Sequence, residues 1–479
     1  MTGESIRIGP DGRLVSDKTA ALPEVLDILI AGAGPAGTSV AFRARELSLS
    51  ALVLDADDIL KRIRDYAKEK PILPDYGPGD KMKFPRAGEL INLLHFDAID
   101  KDEMHAAWKQ YYVRHNIPVQ VGTELTDLER EKDLWLAKVW NHNLKSGQSF
   151  RARHVVLALG RGVPRRFDIP GDTDGIAFRL NDAASYIGIG PVCVVGGGTS
   201  AAEAVIAVSN AKVKAGDACE VYWSYRGTKL PRVSRALAEP FFEAYVVNGN
   251  VRYLPLSDPA AVVTGADKKG YLSVRIDRRT LENRPGETVH LEFPKESCIA
   301  CIGEDIPEDF LSGMGIRMRS QEPGGKKRLV VSSILESEQP NVYVIGDTLS
   351  DFYLQTSDFL ADASTFERIR RPGNVKAALR DGVFVTEVIK QRLDGRATIE
   401  VKVEFDEPQL EKTDKAVTTI VRGVDPQGPP PESKKDVSED IAGYVIRLLP
   451  SGTEEQRYPI ANGKVVSVGR KNATISIDT

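Results

Sequence analysis

Short apolar runs and helical periods alternate along the chain from residue 25. "VLDILIAGAG" is a continuous apolar run ending in glycines, the pattern of a strand buried on both faces of a parallel sheet. "TSVAFRARELS" behind it carries small and apolar residues at helical spacing, and "SALVLDAD" is a second strand. "DKDEMHAAWKQYYVRHN" predicts a long helix, and "RHVVLALGRG" predicts another buried strand. "GPVCVVGGGTSAAEAVIAVSNA" repeats the strand, glycine turn and helix of the opening. "NVYVIGDT" is a further strand ending in Gly-Asp, and "GNVKAALRDGVFVTEVIKQRL" predicts a helix with Asn374 near its cap. This alternation is the mark of an α/β chain. Residues 1–24 are a polar leader, expected as a loosely attached arm. After Leu393 the pattern breaks. Residues 398–441, with "DPQGPPPESKKDVSED", read as a linker, and 442–479 as a small β-rich segment.

Gly32, Gly34 and Gly37 give G-x-G-x-x-G directly after a strand and at the start of a helix. The first glycine permits the tight turn, the second lets a diphosphate approach the main chain, and the third lets helix pack on strand. Pro35 and Ala36 complete the loop. The unpaired N–H groups of the helix start suit a dinucleotide's diphosphate. An acidic residue should end the next strand, about 20 residues on, to accept the ribose hydroxyls, and Asp55 does so. The second loop, Gly196, Gly198 and Ala201 with Thr199 and Ser200 between, has the form G-x-G-x-x-A. Two such loops imply two Rossmann-like domains and two dinucleotides. After the next strand, "CEVYWSYRG", Ser224 stands where an NAD site places its carboxylate. Arg226, Lys229 and Arg232 follow, and this favours a ribose 2′-phosphate, hence NADPH, with NADH as the alternative.

Composition narrows the class further. The 479 residues are 42% hydrophobic and 28% charged, with a net charge of −4, which gives no reason to expect nucleic acid as a partner. No apolar stretch reaches the roughly 18–20 residues of a membrane span. The N-terminus lacks a signal peptide's apolar core, so cytoplasm is the expected compartment.

From 25 to 397 the chain resembles the two-dinucleotide flavoprotein reductases, most closely the thioredoxin-reductase-like group. The resemblance rests on "GAGPAG", "VVLALG" before "IPGD", "VVGGGTSAAEA", "CIACIGEDIPEDFL" and "VYVIGDT". It implies FAD at the first loop and NADPH at the second. It implies an FAD-binding domain of 25–167 and 303–397, split around an NAD(P)H-binding domain of 168–302. Gly346 and Asp347 match the pair whose aspartate contacts the FAD ribitol and diphosphate region. The helix behind Gly373 and Asn374 would aim its N-terminus at the flavin, where negative charge develops on reduction. The segment 348–372, "TLSDFYLQTSDFLADASTFERIRRP", is longer than the family pattern and is expected to cover the flavin or build an acceptor site. Relatives of this architecture are commonly dimers, so a homodimer is an expectation.

The family's redox cysteines are missing from their places. The stretch before the second loop, "GIAFRLNDAASYIGIGP", has no cysteine, and the first loop has Ala36. Cys298 and Cys301 form a C-x-x-C in "KESCIACIGEDIP". On a strand, positions three apart sit about 10 Å apart on opposite faces, too far for a disulfide, so both read as plain strand residues. Cys193 reads as a small core residue, and Cys193 and Cys219 lie singly in other elements, so no metal site is expected. The expected enzyme moves a hydride from NADPH to FAD and passes electrons to an external acceptor. Ferredoxin, a quinone-like molecule, oxygen and a partner protein all remain open, and no residue is singled out as catalytic. A flavin monooxygenase also carries two glycine loops, but its F-x-G-x-x-x-H stretch is missing. A non-catalytic flavin-bound sensor or scaffold, recruiting a protein partner through its tail, is the alternative. That tail, "YVIRLLPSGTEEQRYPIANGKVVSVGRKNATISID", resembles the start of a forkhead-associated domain, with Arg470 as the implied phosphate-binding residue.

Overall fold

The computed structural model describes residues 6–16, 22–68, 70–74, 83–228, 235–277, 288–396, 399, 401, 403–405, 441–448 and 454–461. The chain divides into two compact units, Met1–Arg165 with Gly303–Glu407, and Arg166–Ile302 with Pro408–Thr479.

The first unit is built on a seven-stranded sheet. Val119–Val121, Ala51–Asp55, Val25–Ala31 and Ser146–Leu157 lie side by side in parallel. The apolar run Leu26–Ala31 is almost wholly buried apart from Asp27, as a strand covered on both faces must be. Ser146–Leu157 is long enough to serve two neighbours. Its first part pairs antiparallel with Leu134–Asn141, and its last residues pair parallel with Val342–Val344, Val155 beside Val342. The helices Pro35–Glu46 and Val375–Leu393 pack on each other. The Ser39 hydroxyl donates to Leu379 O at 2.7 Å, and Arg43 pairs with Glu387 at 2.5 Å. A second sheet orders Met318–Arg319, Arg328–Val331, Asp351–Gln355 and Glu367–Arg371.

The leader differs from its expectation. Ile6–Ile8 and Leu14–Ser16 pair antiparallel, with Ile6 and Leu14 buried in the core of this unit. Lys109 Nζ donates to Gly12 O, and it also meets the buried Asp58 at 2.6 Å. A polar composition hid two apolar anchors spaced for a hairpin.

The second unit is a four-stranded parallel sheet in the order Val251–Pro255, Val221–Tyr225, Val192–Val195, Cys298–Ala300, with the helix Thr199–Lys214 after its central strand. A three-stranded antiparallel sheet, Ser257–Thr264, Gly270–Asp277 and Thr288–Pro294, completes it. Near the C-terminus, Ile441–Leu448 and Glu454–Ala461 form an antiparallel hairpin. Arg470 lies outside the described residues. No helix among the described residues is long and apolar enough to cross a membrane.

His154, on the strand Ser146–Leu157, carries a pH dependence. It is 4% exposed, its Nδ1 has no partner, and its ring lies 6.0 Å from that of Tyr343. Burial, with Arg392 nearby, pushes its pKa down from 6.5 to about 4. The unfolded chain therefore binds a proton that the folded chain refuses between those two values. Stability should be unaffected by His154 above pH 6.5 and fall as the pH drops from there to about 4. At pH 5 the loss is about 2 kcal/mol. Urea midpoints at pH 7 and pH 5 check this: His154→Phe should show the smaller drop, and an equal drop would show that His154 carries none of it.

Candidate nucleotide and flavin site

The first loop sits where strand Val25–Ala31 meets helix Pro35–Glu46. Gly32 has φ +103°, and a Cβ there would stand 2.3 Å from Ala158 O. A Cβ on Gly37 would stand 1.9 Å from Gly32 O, so the helix can come this close only without a side chain. Gly34 is different: a Cβ there would meet nothing within 4 Å. Its bareness serves no internal contact of the first unit. Gly34 caps the helix without a side-chain hydrogen bond, and Pro35 and Ala36 form its first turn, leaving backbone N–H groups at the helix start for an incoming group. Asp55 Oδ2 accepts from Ala33 N at 2.8 Å and Oδ1 from Asp57 N at 2.9 Å. Burial pushes this carboxyl up, against the two N–H groups that favour its charge.

Gly346 and Asp347 open a short turn after strand Val342–Val344. Asn374 caps the helix Val375–Leu393, its Oδ1 accepting from Ala377 N at 2.8 Å. Asp347 Oδ1 stands 3.3 Å from where a Cβ on Gly373 would be. Three residues absent from the sequence reading join here. Arg371 Nη1 donates to Gly346 O at 3.0 Å, and its Nη2 donates to Asp381, whose Oδ2 accepts from Gly346 N at 3.1 Å. Arg371 and Asp381 are 4% and 3% exposed, so this pair fixes the turn from inside. Arg62 pairs with Glu304. Burial works against its charge, yet its neighbours, Asp347 among them, hold its pKa above the usual value. No spacing rule points to these three, since each acts through a partner distant in the chain or fixed by the turn.

Buried polar atoms are normally hydrogen-bonded. Arg62 Nε, Arg371 Nε and Asn374 Nδ2 are buried without a partner. Donors of this kind fit a ligand that presents oxygen acceptors, as a flavin nucleotide does.

The second loop repeats the first. Gly196 has φ +140°, and a Cβ there would stand 2.2 Å from Cys301 O; Gly198, before Thr199, Ser200 and Ala201, faces open space. Ser224 is fully buried, its Oγ 2.8 Å from Ser257 Oγ, so it is committed inside the unit. The ring of Tyr225 fills the space that side chains on Gly197 and Gly227 would need, 2.0 and 2.4 Å from their Cβ positions. Arg226 is exposed beside it. Lys229 and Arg232 lie outside the described residues.

Cys298 lies in the central parallel sheet of the second unit, in register with Cys193. Both are fully buried, and burial pushes the Cys298 thiol up to about 12 and that of Cys193 well above the usual thiol range. Cys301 follows the strand, its N–H donating to Val195 O at 2.7 Å. Among the described residues no cluster of three His, Cys, Asp or Glu could hold a metal ion.

Two Rossmann-like units, each with a bare glycine loop at a helix start, define a flavoprotein of the two-dinucleotide class. The chain belongs to the pyridine nucleotide-disulphide oxidoreductase family, whose pattern matches residues 26–382. It is an FAD-dependent NAD(P)H oxidoreductase. It is similar to the ferredoxin–NADP reductase of Ignicoccus hospitalis, 23% identical over 67% of this chain and 89% of that protein. It is similar also to that of Picrophilus torridus, 22% identical over 68% and 86%. In fold it resembles the bacillithiol disulfide reductase of Staphylococcus aureus (TM-score 0.58, 15% identity, 77% of this chain and 99% of that one). The thioredoxin reductase of T. acidophilum is comparable (TM-score 0.54, 18% identity, 78% and 99%).

Proposed function

We propose that this chain takes a hydride from NADPH onto FAD and hands the electrons directly to an external acceptor, a redox protein, with no internal disulfide relay. The observation that carries this reading is the state of the C-x-x-C. A relay thiol must be reachable and readily ionised. Cys298 is neither, being shut inside a parallel sheet with its thiol pushed up to about 12. The ferredoxin–NADP reductases support a protein acceptor.

In this reading the N–H groups of Gly34, Ala36 and Gly37, at the helix start, hold the FAD diphosphate, and Asp55 takes its ribose. Gly346, Asp347 and the Asn374 helix start face the flavin end, with Arg371 fixing their turn. Gly196–Ala201 hold the diphosphate of NADPH, and Arg226 takes the 2′-phosphate. The flavin, when bound, supplies the step from two-electron to one-electron chemistry. The protein's own groups bind, orient and present positive charge.

Stopped-flow mixing of the FAD-loaded protein with NADPH and NADH tests this. Rapid bleaching of the flavin band is expected, faster with NADPH, and Arg226→Ala should narrow that preference. Cys298→Ser with Cys301→Ser should reduce an external acceptor as fast as the parent. Loss of that activity would establish a thiol relay. No bleaching despite bound FAD would favour the sensor or scaffold reading instead.

A further inference from the structure

The segment 348–372, which exceeds the family pattern, gathers cations on one face of its sheet together with the neighbouring strand Arg328–Val331. Asp351–Gln355 and Glu367–Arg371 pair antiparallel, with Phe352 opposite Arg370 and Leu354 opposite Arg368. Arg328–Val331 flanks them in parallel, Val330 beside Leu354. Alternation along strands puts Phe352, Arg328, Arg368 and Arg370 on the same face. The guanidinium groups of Arg328 and Arg368 lie over the Phe352 ring, 5.8 and 4.1 Å from its centre. Lys326 stands two residues before Arg328, and Arg161 reaches in to Ser350 Oγ at 2.6 Å and Asp351 Oδ2 at 2.9 Å.

Among the described residues, none of the carboxylates of this region pairs with Lys326, Arg328, Arg368 or Arg370. Asp351 serves Arg161. Asp358 and Asp362 accept backbone N–H groups in the hairpin tip, from Leu360 and Ser364. Glu367, opposite Gln355, is on the other face. Lys326 and Arg328 are held below their usual pKa range, first by partial burial and then by neighbouring cations, despite the nearby Asp351. Like charges kept together oppose the fold unless an anionic partner offsets them. Lys326, Arg368 and Arg370 are exposed, and Leu360 at the tip is 95% exposed, an apolar contact beside the charge.

This face belongs to the flavin end of the first unit. The hairpin begins directly after the Gly346–Asp347 turn, and Arg371 at its far end holds that turn. Arg161 follows the loop whose Ala158 O crowds Gly32.

We infer that the 351–371 hairpin, with Lys326 and Arg328, is the docking surface for an acidic redox protein that receives the electrons. This rests on the direct-transfer reading above. One NADPH delivers two electrons as hydride, and two one-electron acceptors docking in turn carry them away, leaving NADP⁺ and a proton. Charge complementarity selects a protein with an acidic surface around its redox centre and steers it in at low salt.

The test uses the full FAD-loaded chain and two acidic protein probes, a ferredoxin and a flavodoxin. Binding of each to the oxidised protein is measured at low and high salt, without NADPH. The wild type should bind at least one of them, and salt should weaken that binding. Arg368→Glu with Arg370→Glu should weaken it about tenfold or more and flatten the salt dependence, and Lys326→Glu should act in the same direction. The ratio of acidic-protein reduction to menadione reduction under NADPH should fall by a similar factor. The inference is overturned if neither probe binds the wild type, if the charge reversals leave binding and the ratio unchanged, or if ferricyanide reduction falls equally. The last result would make the face a collector of small anions. Absence of flavin reduction by NADPH would instead sink the direct-transfer reading, and the binding measurement, made without NADPH, separates the two failures.

Discussion

Gly34→Ala should yield a folded protein that no longer keeps its FAD. The position has φ −72°, which any residue adopts, and a Cβ there meets nothing within 4 Å. The apo form should therefore melt where the apo parent does. A diphosphate resting on the helix start has to pass that point, so the methyl group acts on the ligand alone. At least a tenfold rise in the FAD dissociation constant is expected, equivalent to about 1.4 kcal/mol. Gly37→Ala should behave in the opposite order. Its Cβ would stand 1.9 Å from Gly32 O, a side-chain carbon against a backbone oxygen that cannot swing away, so helix and strand must separate and the fold itself is damaged. Flavin content after purification, with apo-protein melting curves, checks the pair. Tight FAD binding by Gly34→Ala would remove the first loop from the flavin site.

Asp381→Ala should give the larger loss of stability. It leaves the Arg371 guanidinium, 4% exposed, without its counter-charge, and leaves Gly346 N without its acceptor. Breaking a buried pair from one side costs about 3–5 kcal/mol. Asp381→Leu with Arg371→Met removes both charges and should recover most of that loss. It should not recover the geometry of the Gly346–Asp347 turn, which Arg371 and Asp381 hold from both its N–H and its C=O. Urea unfolding and flavin content, measured on both proteins, separate the two effects. Recovery of stability together with full flavin retention would show that the pair serves packing alone.

Much of the architecture was legible because it is local. Buried parallel strands need unbroken apolar runs, and "VLDILIA" and "VCVV" supply them. The glycines of both loops stand at turns whose shape depends on a few consecutive residues, and Asn374 caps its helix within three positions. What misled was composition. A polar average over residues 1–24 concealed Ile6 and Leu14, which two short strands carry into the core. The segment after Asp347 gave no pattern that could decide between a cover and an acceptor surface. Its meaning depends on strand pairing with Arg328–Val331 and on the burial of Arg371.

The sequence by itself determined the alternation of strand and helix and two bare loops before helix starts. Only the tertiary structure decided that Arg371 and Asp381 hold the Gly346 turn, that Tyr225 fills the gap left by Gly197 and Gly227, and that unpaired cations share one sheet face. The physical reason is range. Periodicity and turn chemistry act over a few residues, whereas a buried charge, a filled gap or a clustered face is set by groups brought together from separate elements of the fold.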